Sequence, residues 1–364
     1  MTYLIVDAHE DLAWNTLTFG RDYTRSAFET RRLEAGGPAP HHNGDTLLGW
    51  PEYQQGRVAL VFSTLFVSPL KRAMGEWDTQ AYTTFDEARK RTLTQLGVYR
   101  RLTDELPDHF RLVRSRADLE QQLARWRKPA PEGSGHPVGL VLLLENAEGI
   151  RDPAELPEWW EAGLRIIGPA WAGTRFCGGT REPGPLTKDG QSLLEAMADI
   201  GFTLDLSHMD GQAALQALDR YPKAIIASHA NPLARLPGSE SNRHLSDDVI
   251  DGIFERQGVI GVVPYNGFLK HGWTIKDGRQ AVPLQVLADC IDYYCQRAGE
   301  ALHVGIGSDF DGGFGLQSVP DGIDSVADLQ KLAPILEERG YASTDIAALF
   351  GGNWIDLLQR SLPL

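Results

Sequence analysis

Eight continuous apolar runs of strand length recur along the chain, at residues 4–9, 58–67, 138–145, 164–168, 202–208, 224–229, 259–265 and 304–309. They are rich in Val, Ile and Leu and do not alternate with polar residues, the pattern of strands buried on both faces. Helical segments separate them, at 79–106, 116–126, 153–162, 191–200, 211–221, 246–256 and 284–297, and two more, 326–339 and 345–360, close the chain. Strands alternating with helices imply a parallel sheet. Eight such units over 364 residues predict a (β/α)₈ barrel, the TIM-barrel architecture, rather than an open doubly wound sheet. A polar, Gly/Pro-rich stretch over 20–52 reads as a long loop excursion, and 129–135 as a short breaker. No shift of composition marks a boundary, so a single domain over 1–364 is expected.

The formal charge of −14 argues against nucleic acid or an anionic membrane as the main partner, because both would repel the protein. Three cysteines, Cys177, Cys290 and Cys295, are an odd number without C-x-x-C spacing, so neither a disulfide framework nor a zinc ribbon follows. No apolar run approaches the ~20 residues of a membrane span. The chain reaches Asp7 too soon for the apolar core of a signal peptide. A reducing, cytoplasmic setting is expected.

In a (β/α)₈ barrel the C-terminal ends of the strands converge on one mouth. His9 and Asp11 end the first run, Glu145 the third, His208 the fifth, His229 the sixth and Asp309 the eighth. Residues two apart on a strand face one side, so His9 and Asp11 can aim an imidazole and a carboxylate at one point. Any one of these residues alone is a polar strand end. Together they form a rim of three histidines and three carboxylates. The remaining histidines do not share the pattern. His109, His136 and His303 precede or begin strands and belong on the opposite face, while His41, His42, His244 and His271 lie in βα loops able to line the mouth and are expected to face solvent.

Competing motifs fail. His9-Glu10 begins like H-E-x-x-H, but position 13 is Ala; Gly305-x-Gly307 would need a glycine where Phe310 stands. No G-x-S-x-G elbow carries a serine nucleophile. Metal-assisted hydrolysis remains. Three His, an Asp and a Glu exceed the three protein ligands of a single catalytic zinc and suit two ions about 3.5–4 Å apart. Glu145, with two oxygens, is the natural bridge, with His9 and Asp11 on one ion and His208 and His229 on the other. A water bridging them would be acidified toward pKa ~7 and become hydroxide near neutral pH. Asp309 is left as general base and then acid.

The segments Val6-Asp7-Ala8-His9-Glu10-Asp11-Leu12, Leu144-Glu145, Asp205-Leu206-Ser207-His208, Ser228-His229-Ala230-Asn231 and Gly305-Ile306-Gly307-Ser308-Asp309-Phe310-Asp311-Gly312 resemble motifs of the membrane (renal) dipeptidases. So do Asn242-Arg243-His244-Leu245-Ser246-Asp247 and Gly351-Gly352-Asn353. These dipeptidases are zinc peptidase family M19, within the metallo-dependent, amidohydrolase-like barrels. The resemblance spans residues 6–353. It implies two Zn²⁺ on His9, Asp11, bridging Glu145, His208 and His229, a catalytic Asp309, and an arginine, here Arg243, that holds the substrate's free carboxylate. Arginine suits that role because its planar fork binds carboxylate in a bidentate way. The same resemblance suggests a homodimer.

Two departures stand out. Trp171 occupies the place of a family histidine that contacts the reacting carbonyl; its indole N–H can donate one hydrogen bond but carries no charge. The family's Arg-Asn becomes Arg243-His244. Trp171 and Tyr265, the latter ending the seventh run, join Arg243 as candidate substrate contacts. The expected activity is hydrolysis of dipeptides with a free C-terminal carboxylate. Related hydrolysis of N-acyl amino acids or lactams is the first alternative. A barrel that binds metal or peptide without turnover is the second, and Asp309 argues against it, since a pure binding site needs no proton carrier. Zn is favoured by the imidazole and carboxylate ligands, with Mn, Co or Fe able to occupy the same set.

Overall fold

All eight runs form strands in the computed structural model, which describes residues 2–130 and 134–364. They are β1 (Ile5–Glu10), β2 (Val58–Phe66), β3 (Val138–Glu145), β4 (Leu164–Gly168), β5 (Thr203–Asp205), β6 (Ile225–Ile226), β7 (Ile260–Val262) and β8 (Val304–Ile306). Each pairs in parallel with the next, and β8 pairs with β1. Between β6 and β7 the ring closes through a single parallel bridge, Ala227 to Ile260. The chain is a (β/α)₈ barrel.

The continuous apolar runs follow from this architecture. Val6, Ala8, Leu60, Phe62, Val141, Leu143, Ile166 and Ile226 pack in one interior cluster. Their neighbours Ile5, Val61, Leu140, Leu142, Leu144 and Ile167 pack under the helices in another. The two-residue period of a strand thus feeds two apolar layers, and neither face is left for polar residues. Trp354, on the last helix (Asn353–Ser361), joins the interior cluster. Its Nε1 donates to the Ile306 carbonyl at 3.0 Å, and its ring meets Phe62 edge-on at 5.3 Å. A Cβ on Gly305 would lie 2.1 Å from that Nε1, so the close approach requires glycine there.

The structure departs from the sequence reading in several places. The 20–52 stretch is not a plain loop: it carries helices Ala27–Glu34 and Pro38–His42 and leads into Trp50–Gly56. The first of these is short and polar, so no apolar periodicity announces it; Ser26 caps it, accepting from Phe28 N at 3.2 Å, and Arg31 and Arg32 sit in its last turn. The helix predicted over 79–106 begins only at Phe85, because Ala81–Tyr82 pairs with Ser68–Pro69 as a two-stranded ribbon. Residues 326–339 split into a 3₁₀ segment (Val326–Lys331) and a helix (Leu332–Glu338), and the final helix is interrupted by a π turn, Ala348–Gly352. Of the 129–135 breaker, residues 131–133 lie outside the described residues. An antiparallel hairpin, Cys177–Gly179 with Glu182–Leu186, has no counterpart in the sequence reading. No helix among the described residues is long and apolar enough to cross a membrane.

Removing the Trp354 ring should leave a cavity in the barrel interior. Trp354→Ala is expected to lower the unfolding free energy by about 3–5 kcal/mol, measured as a shift in the denaturant midpoint at unchanged slope.

Candidate metal centre

The ligand-bearing residues lie where the strands stop being strands. β5 ends at Asp205 and β6 at Ile226, before the ends of the apolar runs. There the Asp205 carboxylate replaces the sheet ladder: its Oδ1 accepts from Ser207 N at 3.0 Å and Ser228 N at 2.9 Å. Released from the sheet, the chain can turn sharply. Of the seven non-glycine residues at positive φ among those described, Asn146 (68°), His208 (66°), Asp309 (56°) and Asp311 (63°) stand at this mouth. Such conformations are disfavoured for side-chain-bearing residues and tend to gather at functional sites.

All six rim residues meet. One ligand atom each from His9, Glu145 and His229 lies within 4.8 Å of the others, as do atoms from His9, Asp11 and Asp309. Glu145 divides its oxygens: Oε2 faces His9 Nε2 at 3.7 Å, while Oε1 faces His208 Nε2 at 3.0 Å and His229 Nε2 at 3.5 Å. The latter two Nε2 atoms converge to 2.9 Å. Asp11 Oδ2 stands 3.9 Å from His9 Nε2, and Asp309 N donates to the His9 carbonyl at 3.0 Å.

The far nitrogen of each imidazole is held from behind. Thr180, in the hairpin turn, lies 2.9 Å from His208 Nδ1. Ser228 Oγ sits 2.8 Å from His229 Nδ1 and 3.4 Å from His9 Nδ1, and itself donates to Asp205 Oδ2. These contacts turn the Nε2 atoms inward, an orientation that metal-binding histidines need. The sequence reading gives no role to Ser228 and Asp205, which stand within the motif-like segments, and does not name Thr180. The signal available was a Ser or Asp one to three residues before each strand-end histidine, inside otherwise apolar runs.

The residues fit a divalent cation. His9 Nε2, Asp11 Oδ1 and Glu145 Oε1 are buried without a hydrogen-bond partner, although buried polar atoms are normally satisfied. The short approaches to Glu145 Oε1 therefore lack hydrogen-bond geometry. The field has the matching sign. Burial alone would lower the His9 pKa, yet Glu145, Asp11 and Asp309 push it up to about 10. Burial, aided by Asp11 and Glu145, raises Asp309 well above the usual carboxylate range, and burial with Glu145 and Asp311 lifts Asp11 to about 7. His208 falls to about 4, through burial and the nearby Arg243. A cluster that draws a proton onto a buried imidazole would draw a divalent ion to the same place.

Above the cluster lies a cavity of about 250 Å³, lined by Asp11, Glu145, His208 and Asp309 at its floor and by Trp171, Arg243 and Tyr265 on its walls. Arg243 is buried; Nη2 donates to the His229 carbonyl at 2.8 Å, its plane lies over Phe268, and Nε and Nη1 have no partner. Trp171 packs beside Phe66 at 5.2 Å and His208 at 6.3 Å. His244, expected in solvent, is instead buried: it packs edge-on against Phe268, and burial next to Arg243 lowers it to about 3. His41 and His271 are exposed as expected, whereas His42 is half-buried, stacked on Trp77.

The family model for membrane dipeptidases, peptidase family M19, matches residues 1–361. The uncharacterised protein in the pqqA 5′ region of Klebsiella pneumoniae is 30% identical over 278 residues, 73% of this chain and 94% of that protein. Dipeptidase aclJ of Aspergillus oryzae is 25% identical over 365 residues, 97% of this chain and 77% of its own length. A solved metallo peptidase from Rhodobacter sphaeroides, liganded with a phosphinate mimic of the dipeptide L-Ala-D-Ala, shares the fold. Its TM-score is 0.77 at 23% identity, over 99% of this chain and 100% of that one.

Two outcomes are expected of metal binding. Ser228→Ala should weaken zinc affinity about 10–100-fold, read by competition with a chelator of known affinity. Because a cation on His9 must displace a proton held with a pKa of about 10, the affinity of metal-free protein should rise with pH. The expected gain is roughly tenfold per unit between about pH 7 and 9 for each proton released, and calorimetry in buffers of different ionisation enthalpy counts those protons.

Proposed function

This chain belongs to the membrane dipeptidase family, and from that membership we propose that it is a two-metal dipeptidase whose substrates carry a free C-terminal carboxylate. It is a peptide-bond hydrolase of the dipeptidase type, and its His and carboxylate cluster is the candidate metal site. The observation that carries the two-metal reading is the division of Glu145, one oxygen toward His9 and the other toward His208 and His229. A carboxylate shared in this way is suited to join two ions, with Asp11 completing the His9 side. Imidazole with carboxylate favours Zn²⁺, and Mn, Co or Fe suit the same donors.

When bound, such ions supply Lewis-acid polarisation of the scissile carbonyl and an acidified water as nucleophile. The chain's own residues supply the rest. Asp309, backed by the His9 carbonyl and raised in proton affinity by burial beside Asp11 and Glu145, accepts the proton of the attacking water. It then delivers that proton to the leaving amine. Arg243 offers Nε and Nη1, both buried and unpaired, to the C-terminal carboxylate. Leaving buried donors unsatisfied costs about 1–3 kcal/mol each, and a carboxylate ligand relieves this. The Tyr265 ring flanks that position, and Trp171 walls the cavity with its indole N–H free of a partner among the described residues.

Trp171 also supports a second reading. Where the family histidine would place an ionisable donor, this wall is apolar, which suits the acyl group of an N-acyl amino acid or the ring of a lactam.

A panel of dipeptides and N-acyl amino acids, assayed with zinc and after chelation, separates these readings. Dipeptide hydrolysis lost on chelation and restored by zinc is expected; turnover indifferent to metal removal would sink the proposal. Asp309→Asn should lower kcat by about 10²–10⁴ while the metal content measured by elemental analysis stays the same.

A further inference from the structure

Three arginines reach the walls of the cavity, Arg72, Arg181 and Arg243, and they differ in what neutralises them. Arg72 pairs with Glu182 at 2.8 Å. Arg243 is buried beside the metal cluster, where the proposed function gives it the C-terminal carboxylate. Arg181 is exposed at the rim, and its guanidinium makes no hydrogen bond, ion pair or ring contact among the described residues.

An unpaired surface arginine is ordinarily solvated and without consequence. Arg181 differs because its backbone is fixed. It sits at φ 64° in the turn between Cys177–Gly179 and Glu182–Leu186. On one side of it, Thr180 N donates to the Trp171 carbonyl at 2.9 Å and Thr180 Oγ1 holds His208. On the other, Glu182 is gripped by Lys71 at 2.7 Å and by Arg72. Arg181 N itself donates to Asn242 Oδ1 at 2.9 Å, and Asn242 Nδ2 returns a bond to the Gly179 carbonyl. The turn is therefore stitched to the residue immediately before Arg243. That places Arg181 on the side of the cavity where the C-terminal residue of a substrate would lie, near Tyr265, whose hydroxyl feels its charge together with burial and Asp309.

We infer that Arg181 forms a subsite for an acidic side chain on the C-terminal residue of the substrate, so that the enzyme favours dipeptides bearing two carboxylates at that end. The inference rests on the dipeptidase reading above. The physical case is one of charge accounting. The floor of the cavity is lined by carboxylates, and the chain as a whole carries −14. A cation left uncompensated at the rim of that cavity is free to bind an anion, which a neutral side chain cannot replace.

The test uses isosteric pairs, Ala-Glu against Ala-Gln and Ala-Asp against Ala-Asn, each with the C-terminal residue in L and D form. They are presented to the zinc-loaded full chain, to Arg181→Gln and to Arg181→Glu. Kd values for the same pairs are measured by calorimetry on Asp309→Asn, alone and combined with Arg181→Gln. The acid should exceed its amide in kcat/KM by about tenfold or more, the scale of a charge-assisted hydrogen bond, with the difference carried by KM. Arg181→Gln should bring the ratio toward one, and Arg181→Glu should invert it while Ala-Lys gains. A merely structural effect would not reverse a charge preference. Equal acid and amide values in the unaltered enzyme, or a ratio untouched by either substitution, overturns the inference while leaving the dipeptidase reading in place. Absence of hydrolysis together with an acid preference in Kd that Arg181→Gln abolishes overturns the dipeptidase reading and upholds the subsite.

Discussion

Glu145 is a carboxylate placed almost out of reach of solvent, with imidazoles facing each of its oxygens at 3.0–3.7 Å. A buried anion of this kind is expensive in free energy unless cations or hydrogen bonds meet it. Much of the mouth can be read as meeting that demand. Strands β5 and β6 stop early so that His208 and His229 can turn toward Glu145. Asp205 takes over the amides that the sheet no longer pairs. Thr180 and Ser228 hold the far nitrogens, and the near nitrogens are left with too few partners of their own. The residue types gathered in this cluster are those that bind a divalent metal.

The same demand extends one layer outward. Asp311, two residues beyond Asp309, is fully buried and accepts from Tyr23 Oη at 2.9 Å, Thr46 Oγ1 at 2.5 Å and Leu47 N at 3.0 Å, with Arg21 Nη1 at 3.0 Å. Its carbonyl accepts from Asn15 and Asn43. Every one of these partners except Asn15 belongs to the excursion between β1 and β2. The excursion is thus not an appendage: it satisfies a buried anion on the loop that carries Asp309. Asp7 does similar work from inside β1, accepting from Ser308 N at 2.7 Å. Asp309, the proposed proton carrier, is held by a frame of buried hydrogen bonds, which suits a group whose position must be kept while its protonation changes.

The barrel and the six rim residues were legible in the sequence because each rests on a strong signal. Eight unbroken apolar runs leave little choice of architecture, and a His or carboxylate at the end of such a run has only the mouth to face. Other features had weaker signals. The helix at Ala27–Glu34 is polar and is fixed by Arg21 on Glu34, by Glu52 on Ser26 and Ala27 N, and by Arg31 on the Thr46 carbonyl, rather than by an apolar stripe. The hairpin strand Glu182–Leu186 contains Pro183, Gly184 and Pro185, which argue against a strand in any propensity scale and are tolerated here because the pair is a short two-stranded edge. That hairpin supplies both Thr180 and Arg181, so its omission hid one orienting contact and the rim charge together. His244 was assigned to solvent on its loop position, yet Phe268 buries it beside Arg243.

Trp171 and the two arginines belong to one argument about orientation. A histidine at position 171 would give the β4 side of the cavity a group able to carry positive charge; tryptophan removes that option. Positive charge on the walls is then concentrated in Arg243 and in Arg181, which follows Trp171 in the connection between β4 and β5 and is tied to Asn242, the residue before Arg243. The floor keeps Asp11, Glu145 and Asp309. A small substrate with an ammonium at one end and carboxylate at the other meets a cavity polarised along one direction, and only one alignment places both ends against opposite charge. With the acyl portion against Trp171 and Phe66, that alignment would set the scissile amide of the proposed substrate over the candidate metal site without a charged group at position 171. A tryptophan at position 171 is therefore compatible with the proposed chemistry, because Arg243 and Arg181 carry the orienting charge.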